Sequence, residues 1–187
     1  WMSPNAMDNC SATVSASATS GGYFGVGTHT VVFTATDASG NSTTADLTFT
    51  VSDVIDPVFA SVQADTTVYA SANMCEAVVN WSPITATDNC STPTVATSVA
   101  SGSTFGIGTT TVTVTASDTS GNSISTSFDV TVLDTVAPTW VYVPMDTTMG
   151  SCNAAVTFAM PAASDNCLGV TVVQTAGLPS GSVFPVG

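Results

Sequence analysis

Apolar and polar residues alternate along much of this 187-residue chain. Residues 31–35 place Val, Phe and Ala at every second position, and residues 47–51 do the same with Leu, Phe and Val. This period of two predicts strands with one face toward a core and the other toward solvent. The segment between them, residues 37–41, is dense in turn-forming residues, so the two strands are predicted to form a hairpin.

The hairpin pattern is repeated along the chain. Phe24-Gly25-Val26-Gly27 begins one copy, Phe105-Gly106-Ile107-Gly108 begins another 81 positions later, and a third opens at Phe184. Self-similarity at a fixed period indicates a repeat protein. The period predicts the C-terminal part of a first repeat at residues 1–53, a complete repeat at 54–134 and the N-terminal part of a third at 135–187.

The complete repeat has about seven short apolar stretches with turn signals roughly every ten residues, and no stretch has a helical period. This pattern predicts an all-β fold, an antiparallel sandwich of about 80 residues per repeat. No apolar run is long enough to cross a membrane, and the N-terminus has no signal-peptide pattern.

The cysteine spacing predicts one disulfide per repeat. Cys75 and Cys90 are 15 positions apart, and so are Cys152 and Cys167. A spacing repeated in consecutive units is typical of a disulfide framework made in an oxidising compartment. Cys10 matches the position of Cys90, so its partner is expected about five residues before residue 1.

The charge balance excludes several functions. Thirteen acidic residues face no Lys or Arg, for a formal net charge of −13. Nucleic-acid binding and a basic membrane-binding face both need cationic side chains, so neither is expected. Cations, glycans and other protein chains remain as partners.

Four combined motifs resemble the hyalin repeat family. They read Cys152-Asn153-Ala154-Ala155-Val156, then Pro161 to Cys167 with its Asp165-Asn166-Cys167 end, Ser101 to Thr109, and Thr34 to Asn41. The resemblance covers the whole chain. It implies an immunoglobulin-like sandwich, commonly in tandem, in large extracellular proteins of cell adhesion and surface layers. Such a chain is expected to be extracellular or on the cell surface.

Calcium is the cofactor that the acidic residues suggest. Aspartates recur beside cysteine, in the turns and at the repeat ends, and oxygen ligands gathered at a junction bind Ca²⁺. The alternative is that each aspartate only caps its own turn. The candidate ligands are Asp8, Asp37, Asp53, Asp56, Asp88, Asp118, Asp134 and Asp165.

Aromatic and histidine positions are expected to be structural. His29, the one histidine, is expected on the outward face of its strand without a catalytic role. Trp1, Trp81 and Trp140 could stack on sugar, but their regular positions favour core packing. No nucleophile with an adjacent acid or base is evident, so an enzyme is not expected.

Glycosylation is a further hypothesis, with chance occurrence of short motifs as the alternative. Thr66, Thr135 and Thr147 lie in Asp-Thr sequences similar to a bacterial O-glycan acceptor. N-linked sequons are centred on Asn9, Asn41, Asn80 and Asn89.

Two functions are compatible with this pattern. The preferred one is a structural and adhesive segment of a long extracellular repeat protein that forms a cell-surface fibre, stalk or filament. Its partners would be neighbouring repeats, other copies in a fibre and glycans. The alternative is a passive spacer in a large secreted multidomain enzyme. The partial repeats at the two ends are explained by truncation of a longer chain, and the alternative is that strand addition by a neighbouring chain completes them.

Overall fold

A computed structural model describes residues 1–9, 11–150 and 154–184, and every regular element in this part of the chain is a β-strand. No helix in those residues is long and apolar enough to cross a membrane. The strands are β1 (Ala12–Ala16), β2 (Gly27–Asp37), β3 (Ser42–Val51), β4 (Val58–Phe59), β5 (Thr66–Tyr69), β6 (Glu76–Val79), β7 (Ala86–Thr87), β8 (Thr94–Thr97), β9 (Ser103–Gly106), β10 (Gly108–Ser117), β11 (Ser123–Leu133), β12 (Thr139–Tyr142) and β13 (Ala162–Ser164).

The chain folds as two compact units. The first contains Trp1–Val62, Ile84–Ala96 and Val114–Thr126, and the second contains Gln63–Pro83, Thr97–Thr113 and Ser127–Gly187. The repeat limits at residues 53 and 134 remain a prediction from the sequence.

A three-stranded antiparallel sheet, β1-β2-β3, lies in the first unit. Strand β2 pairs with β3 from Gly27 opposite Val51 to Thr36 opposite Ser42, which confirms the first predicted hairpin. Val31 and Phe33 are buried on one face of β2, as their alternation predicts.

The complete repeat forms a four-stranded sheet, β5-β11-β10-β8, and the two-stranded sheets β6-β9 and β4-β7. β8, β10 and β11 correspond to strands C, F and G of an immunoglobulin domain, and β6-β9 corresponds to the B–E pair. The predicted all-β, immunoglobulin-like fold is therefore confirmed. One pairing is parallel, because β5 near the start of the repeat runs alongside β11 at its end.

Alternating residues of the strands form the core. The buried apolar side chains of the complete repeat are Ala77, Val79, Phe105, Val112, Val114, Ala116, Phe128, Val130 and Val132. Each fully buried valine contributes about 1.5–3 kcal/mol relative to an exposed one. Trp81, which follows β6, makes edge-on ring contacts with Phe105 of β9 and Phe128 of β11, so it links the two sheets. Core packing is confirmed for this tryptophan.

At three places a serine hydroxyl makes the same pair of hydrogen bonds with the backbone N–H and C=O groups of one residue. We call this pair of bonds the serine clip. The Ser101 hydroxyl accepts a hydrogen bond from the Trp81 amide (2.9 Å) and donates one to the Trp81 carbonyl (3.1 Å). Ser180 makes the same two bonds with Phe158, both at 2.9 Å. Ser20 accepts from the Trp1 amino group (3.3 Å) and donates to the Trp1 carbonyl (2.6 Å). These shared contacts mark Trp1, Trp81 and Phe158 as equivalent positions of the repeat.

The last part of the chain contributes the short antiparallel pair β12-β13. Trp140 lies on β12 with 62% of its surface exposed. Core packing was the wrong expectation for this tryptophan, because the pair β12-β13 leaves its side chain largely uncovered.

The disulfide differs from the predicted pairing. Cys75 is bonded to Cys167, with Cα atoms 5.0 Å apart and 92 positions between them in the sequence, and Cys90 is a free, exposed thiol. The predicted pairs Cys75–Cys90 and Cys152–Cys167 are therefore wrong, because the observed bond joins two predicted repeats and does not close a loop within one. Equal spacing did not identify the partner, because a disulfide forms between cysteines whose Cα atoms the fold brings to about 4.4–6.8 Å. Cys10 and Cys152 lie outside the described residues.

Candidate metal centre

Three carboxylates meet in the first unit. Asp53 follows β3, Asp88 follows β7 and Asp118 follows β10, and one oxygen of each lies within 4.8 Å of the others. Asp53 is 8% exposed and is a buried charged residue, while the other two are half-buried. Like charges this close repel one another, so the group is costly unless a proton or a cation shares the space.

In two of the carboxylates, one oxygen accepts hydrogen bonds from backbone amides and the other oxygen accepts none. Asp53 Oδ1 accepts a hydrogen bond from the Ile55 amide at 3.2 Å, and Asp88 Oδ2 accepts from the Cys90 and Ser91 amides at 2.9 and 3.2 Å. Asp53 Oδ2 and Asp88 Oδ1 are buried and accept no hydrogen bond. Buried polar atoms nearly always have a partner, so these two oxygens point to a missing one.

The third carboxylate is held by the turn that it begins. Asp118 Oδ1 accepts from the Ser120 and Asn122 amides at 2.9 and 2.8 Å, and Oδ2 accepts from the Asn122 side chain at 2.7 Å. Burial raises the pKa of Asp118, but the hydrogen bonds from Asn122, Ser120 and Gly121 outweigh it and leave the pKa below its usual value. Asp118 is therefore a carboxylate at neutral pH.

Asn122 was missed as a site residue. Its side chain donates to Asp118 and, at 3.3 Å, to the backbone carbonyl of Asp53, so it ties two of the carboxylate segments together. The signal was present in the Asp-x-Ser-Gly-Asn motif, whose final residue recurs in the earlier copy as Asn41.

Cys90 lies beside the cluster and not in a disulfide. Desolvation raises the pKa of the Cys90 thiol, and the charges of Asp53, Asp88 and Asp118 raise it further. The thiol is therefore kept protonated at neutral pH and is a poor nucleophile there.

The other five candidate ligands are not part of this cluster. Asp37 holds a turn like that of Asp118, since its two oxygens accept from the Asn41 amide and side chain at 2.8 and 2.7 Å. Asp134 caps the Val136 amide at 3.0 Å and Asp165 caps the Asn166 amide at 2.9 Å, while Asp56 is exposed. Asp8 and Asp37 line a cavity of about 490 Å³ in the first unit. Turn capping is thus observed at most of the candidate aspartates, and it coexists with the three-carboxylate cluster.

His29 faces the buried side of its strand. Its ring lies 5.1 Å from that of Phe24 and 5.7 Å from that of Phe49, and its Nε2 is 2.7 Å from the Gly25 carbonyl oxygen. The expected outward orientation was wrong, because position 29 shares the parity of Val31. Trp1 packs on the same Phe24 and Phe49 rings at 6.0 and 6.1 Å, as expected of a structural aromatic residue.

The candidate glycan acceptors differ in how free their side chains are. Asn9 and Asn80 are exposed, while the Asn41 amide is used by Asp37 and the Asn89 amide donates to the Cys90 sulfur at 3.0 Å. Thr135 and Thr147 are exposed, and the Thr66 hydroxyl donates to the Ala64 carbonyl at 3.2 Å.

Comparison with known proteins identifies similar sequences. The HYR domain profile matches residues 1–52 and 52–132. Hyalin of Lytechinus variegatus is 34% identical over the whole of this chain, which spans 37% of that protein. Hyalin of Strongylocentrotus purpuratus is 33% identical over 98% of this chain, which spans 16% of it. The chain thus corresponds to well under half the length of either relative.

Solved structures that match this chain include two protocadherins. Extracellular cadherin domains 1–4 of protocadherin gamma B7 match 76% of this chain and 42% of their own, with 16% identity and a TM-score of 0.35. The protocadherin gamma B4 extracellular domain matches 86% of this chain and 34% of its own, with 18% identity and a TM-score of 0.36.

Proposed function

This chain belongs to the HYR domain family, and we propose that it is a structural and adhesive segment of a longer extracellular protein that forms a cell-surface fibre, stalk or filament. The observation that carries this proposal is the repetition of one building plan. The serine clip occurs at Trp1, Trp81 and Phe158, and the Asp-to-Asn turn occurs at Asp37 and Asp118. A plan repeated in series gives length, which is what a fibre requires.

The compartment and partners follow from the same features. The Cys75–Cys167 disulfide supports an oxidising, extracellular location. A net charge of −13 without Lys or Arg opposes binding to nucleic acid. We propose neighbouring repeats and other copies of the protein as partners, with glycans on the exposed acceptors Asn9 and Asn80.

No catalytic role is proposed for this segment. Its one histidine is engaged with two aromatic rings. The alternative function remains a passive spacer in a large secreted enzyme.

Immunogold labelling of unpermeabilised source cells with an antibody against this chain tests the proposal. We expect gold along structures that project from the cell surface, in rows whose length exceeds that of one 187-residue segment. Label confined to a secreted fraction that co-purifies with an enzymatic activity would instead support the spacer.

Calcium is the cofactor that we propose for this structural role. Carboxylate oxygens are ligands that Ca²⁺ prefers, and extracellular modules bind it with Kd of roughly 10⁻⁴–10⁻³ M. Because an ion that binds only the folded state stabilises it, 10 mM Ca²⁺ is expected to raise the melting temperature of the chain relative to EDTA. An unchanged melting temperature would contradict calcium binding, but it would not contradict the proposed structural role.

A further inference from the structure

We propose that Asp53, Asp88 and Asp118 form one divalent-cation site, with Asp53 as its buried ligand and Ca²⁺ as its ion. The inference rests on the calcium-binding role proposed above and gives it a location. It selects three of the eight aspartates that the sequence offered.

Two carboxylate oxygens of these residues lack a hydrogen-bond partner. Asp53 is more than nine-tenths buried, one of its oxygens belongs to the cluster, and its Oδ2 accepts no hydrogen bond. Asp88 Oδ1 is buried and unpartnered in the same way. A cation placed between them would supply the missing partner of both atoms at once.

The three carboxylates are also preorganised. One oxygen of Asp53 and one of Asp88 are fixed by backbone amides, and Asp118 is fixed by its own turn. The carboxylates are thus held close together by bonds to their own backbone segments. A site of this kind does not need to collect flexible side chains when the ion arrives, so it loses little conformational entropy on binding.

The negative charge of the three carboxylates also favours a bound cation. The chain has no Lys and no Arg, so no long cationic side chain of its own can neutralise three neighbouring carboxylates. A cation taken up from solution would neutralise them. Three carboxylates with no nitrogen ligand are a hard-oxygen set, which favours Ca²⁺ or Mg²⁺ over transition metals. Ca²⁺ is preferred because it tolerates irregular geometry and carboxylate-rich sites, whereas Mg²⁺ requires a near-ideal octahedron.

The variant Asp53→Asn tests the site directly. Asparagine keeps the oxygen that caps the Ile55 amide, and its NH₂ group can donate to the unpartnered Asp88 oxygen. We therefore expect Asp53→Asn to fold, and to melt in EDTA at the same temperature as the native chain or higher. Calcium affinity measured by titration calorimetry is expected to fall at least about tenfold, since a charged buried ligand is lost.

Two matched controls separate local from general effects. Asp46→Asn removes one charge from an exposed position on β3, and Asp134→Asn changes an aspartate that makes the same cap, to Val136, outside the three-carboxylate group. Both are expected to keep the calcium affinity of the native chain within about twofold. Far-UV circular dichroism of each variant checks that the β-structure is unchanged.

The outcomes distinguish this site from the broader proposal. If Asp53→Asn binds Ca²⁺ as tightly as the native chain, the assignment to this cluster is wrong while calcium binding stands. If Mg²⁺ binds more tightly than Ca²⁺ and Asp53→Asn abolishes both, the site stands and the choice of ion is wrong. If the native chain takes up neither ion at 10 mM, the cation site is refuted, and the structural role is untouched.

Discussion

Two turns with the same sequence motif differ in the contacts that their asparagine makes. Asn41 and Asn122 both donate to the aspartate that begins their turn, at 2.7 Å in each case. Asn122 is half-buried and also donates to the Asp53 carbonyl, whereas Asn41 is exposed. The sequence predicted both turns from the same motif, but the extra bond depends on how the chain passes Asp53, which local sequence does not encode.

Removing these asparagines is expected to have unequal effects. Asn122→Ala should lower the free energy of unfolding by about 1.5–3 kcal/mol, because it deletes a hydrogen bond to a charged group and leaves a partly buried carboxylate under-satisfied. Asn41→Ala, the matched control, should cost less because water can replace the lost donor at an exposed turn. Urea unfolding of both variants measures the difference, and equal losses would contradict the role assigned to Asn122.

The Asp37 turn makes stability depend on pH. Hydrogen bonds from the Asn41 side chain and amide lower the pKa of Asp37 below its ordinary value. A lowered folded-state pKa means that the stabilisation is fully present above the unfolded pKa and is lost as pH falls through the folded one. The native chain should therefore lose its stability advantage over Asp37→Asn below about pH 4. Chemical denaturation of both proteins from pH 6 to pH 2 measures this, and a constant difference across the range would contradict it.

At the scale of strands, alternation was enough to predict most of the structure. Both hairpins, the buried faces of β10 and β11 and the all-β class follow from a period of two. His29 was misassigned by a parity error that the same rule corrects. The parallel pairing of β5 with β11 was not predictable, because a strand's partner depends on distant segments.

Strand β11 offers a direct comparison of core and surface. Phe128 is 4% exposed and touches Trp81, while Ile124 on the same strand is 38% exposed. Phe128→Ala should destabilise the chain by about 3–5 kcal/mol through lost burial and the cavity that remains. Ile124→Ala should cost less than about 1 kcal/mol, since surface changes have small effects. Thermal unfolding of the pair measures both, and similar losses would show that β11 does not form the core as described.

At the scale of the whole molecule, the pairing of the cysteines was predicted wrongly from the sequence. Equal spacing of 15 predicted local loops, whereas the structure closes a loop of 92 positions. The chain-entropy model gives about 4.7 kcal/mol for a loop of 100 residues, compared with about 3 kcal/mol for a loop of 15. The bond spans the predicted end of the complete repeat at residue 134, so it contributes to more than one repeat of the proposed fibre.

We propose that these sandwiches, which the Cys75–Cys167 disulfide cross-links, carry mechanical force in series. Pulling single molecules from their two ends, with and without a reducing agent, measures both parts of it. We expect abrupt unfolding steps, and an unfolded length that grows by about 300–330 Å on reduction, since 92 positions are released at 3.3–3.6 Å each. Smooth extension without unfolding steps would contradict a fold that resists mechanical force. A gain in unfolded length of only about 50 Å per disulfide would contradict the Cys75–Cys167 pairing, because it corresponds to loops of about 15 residues.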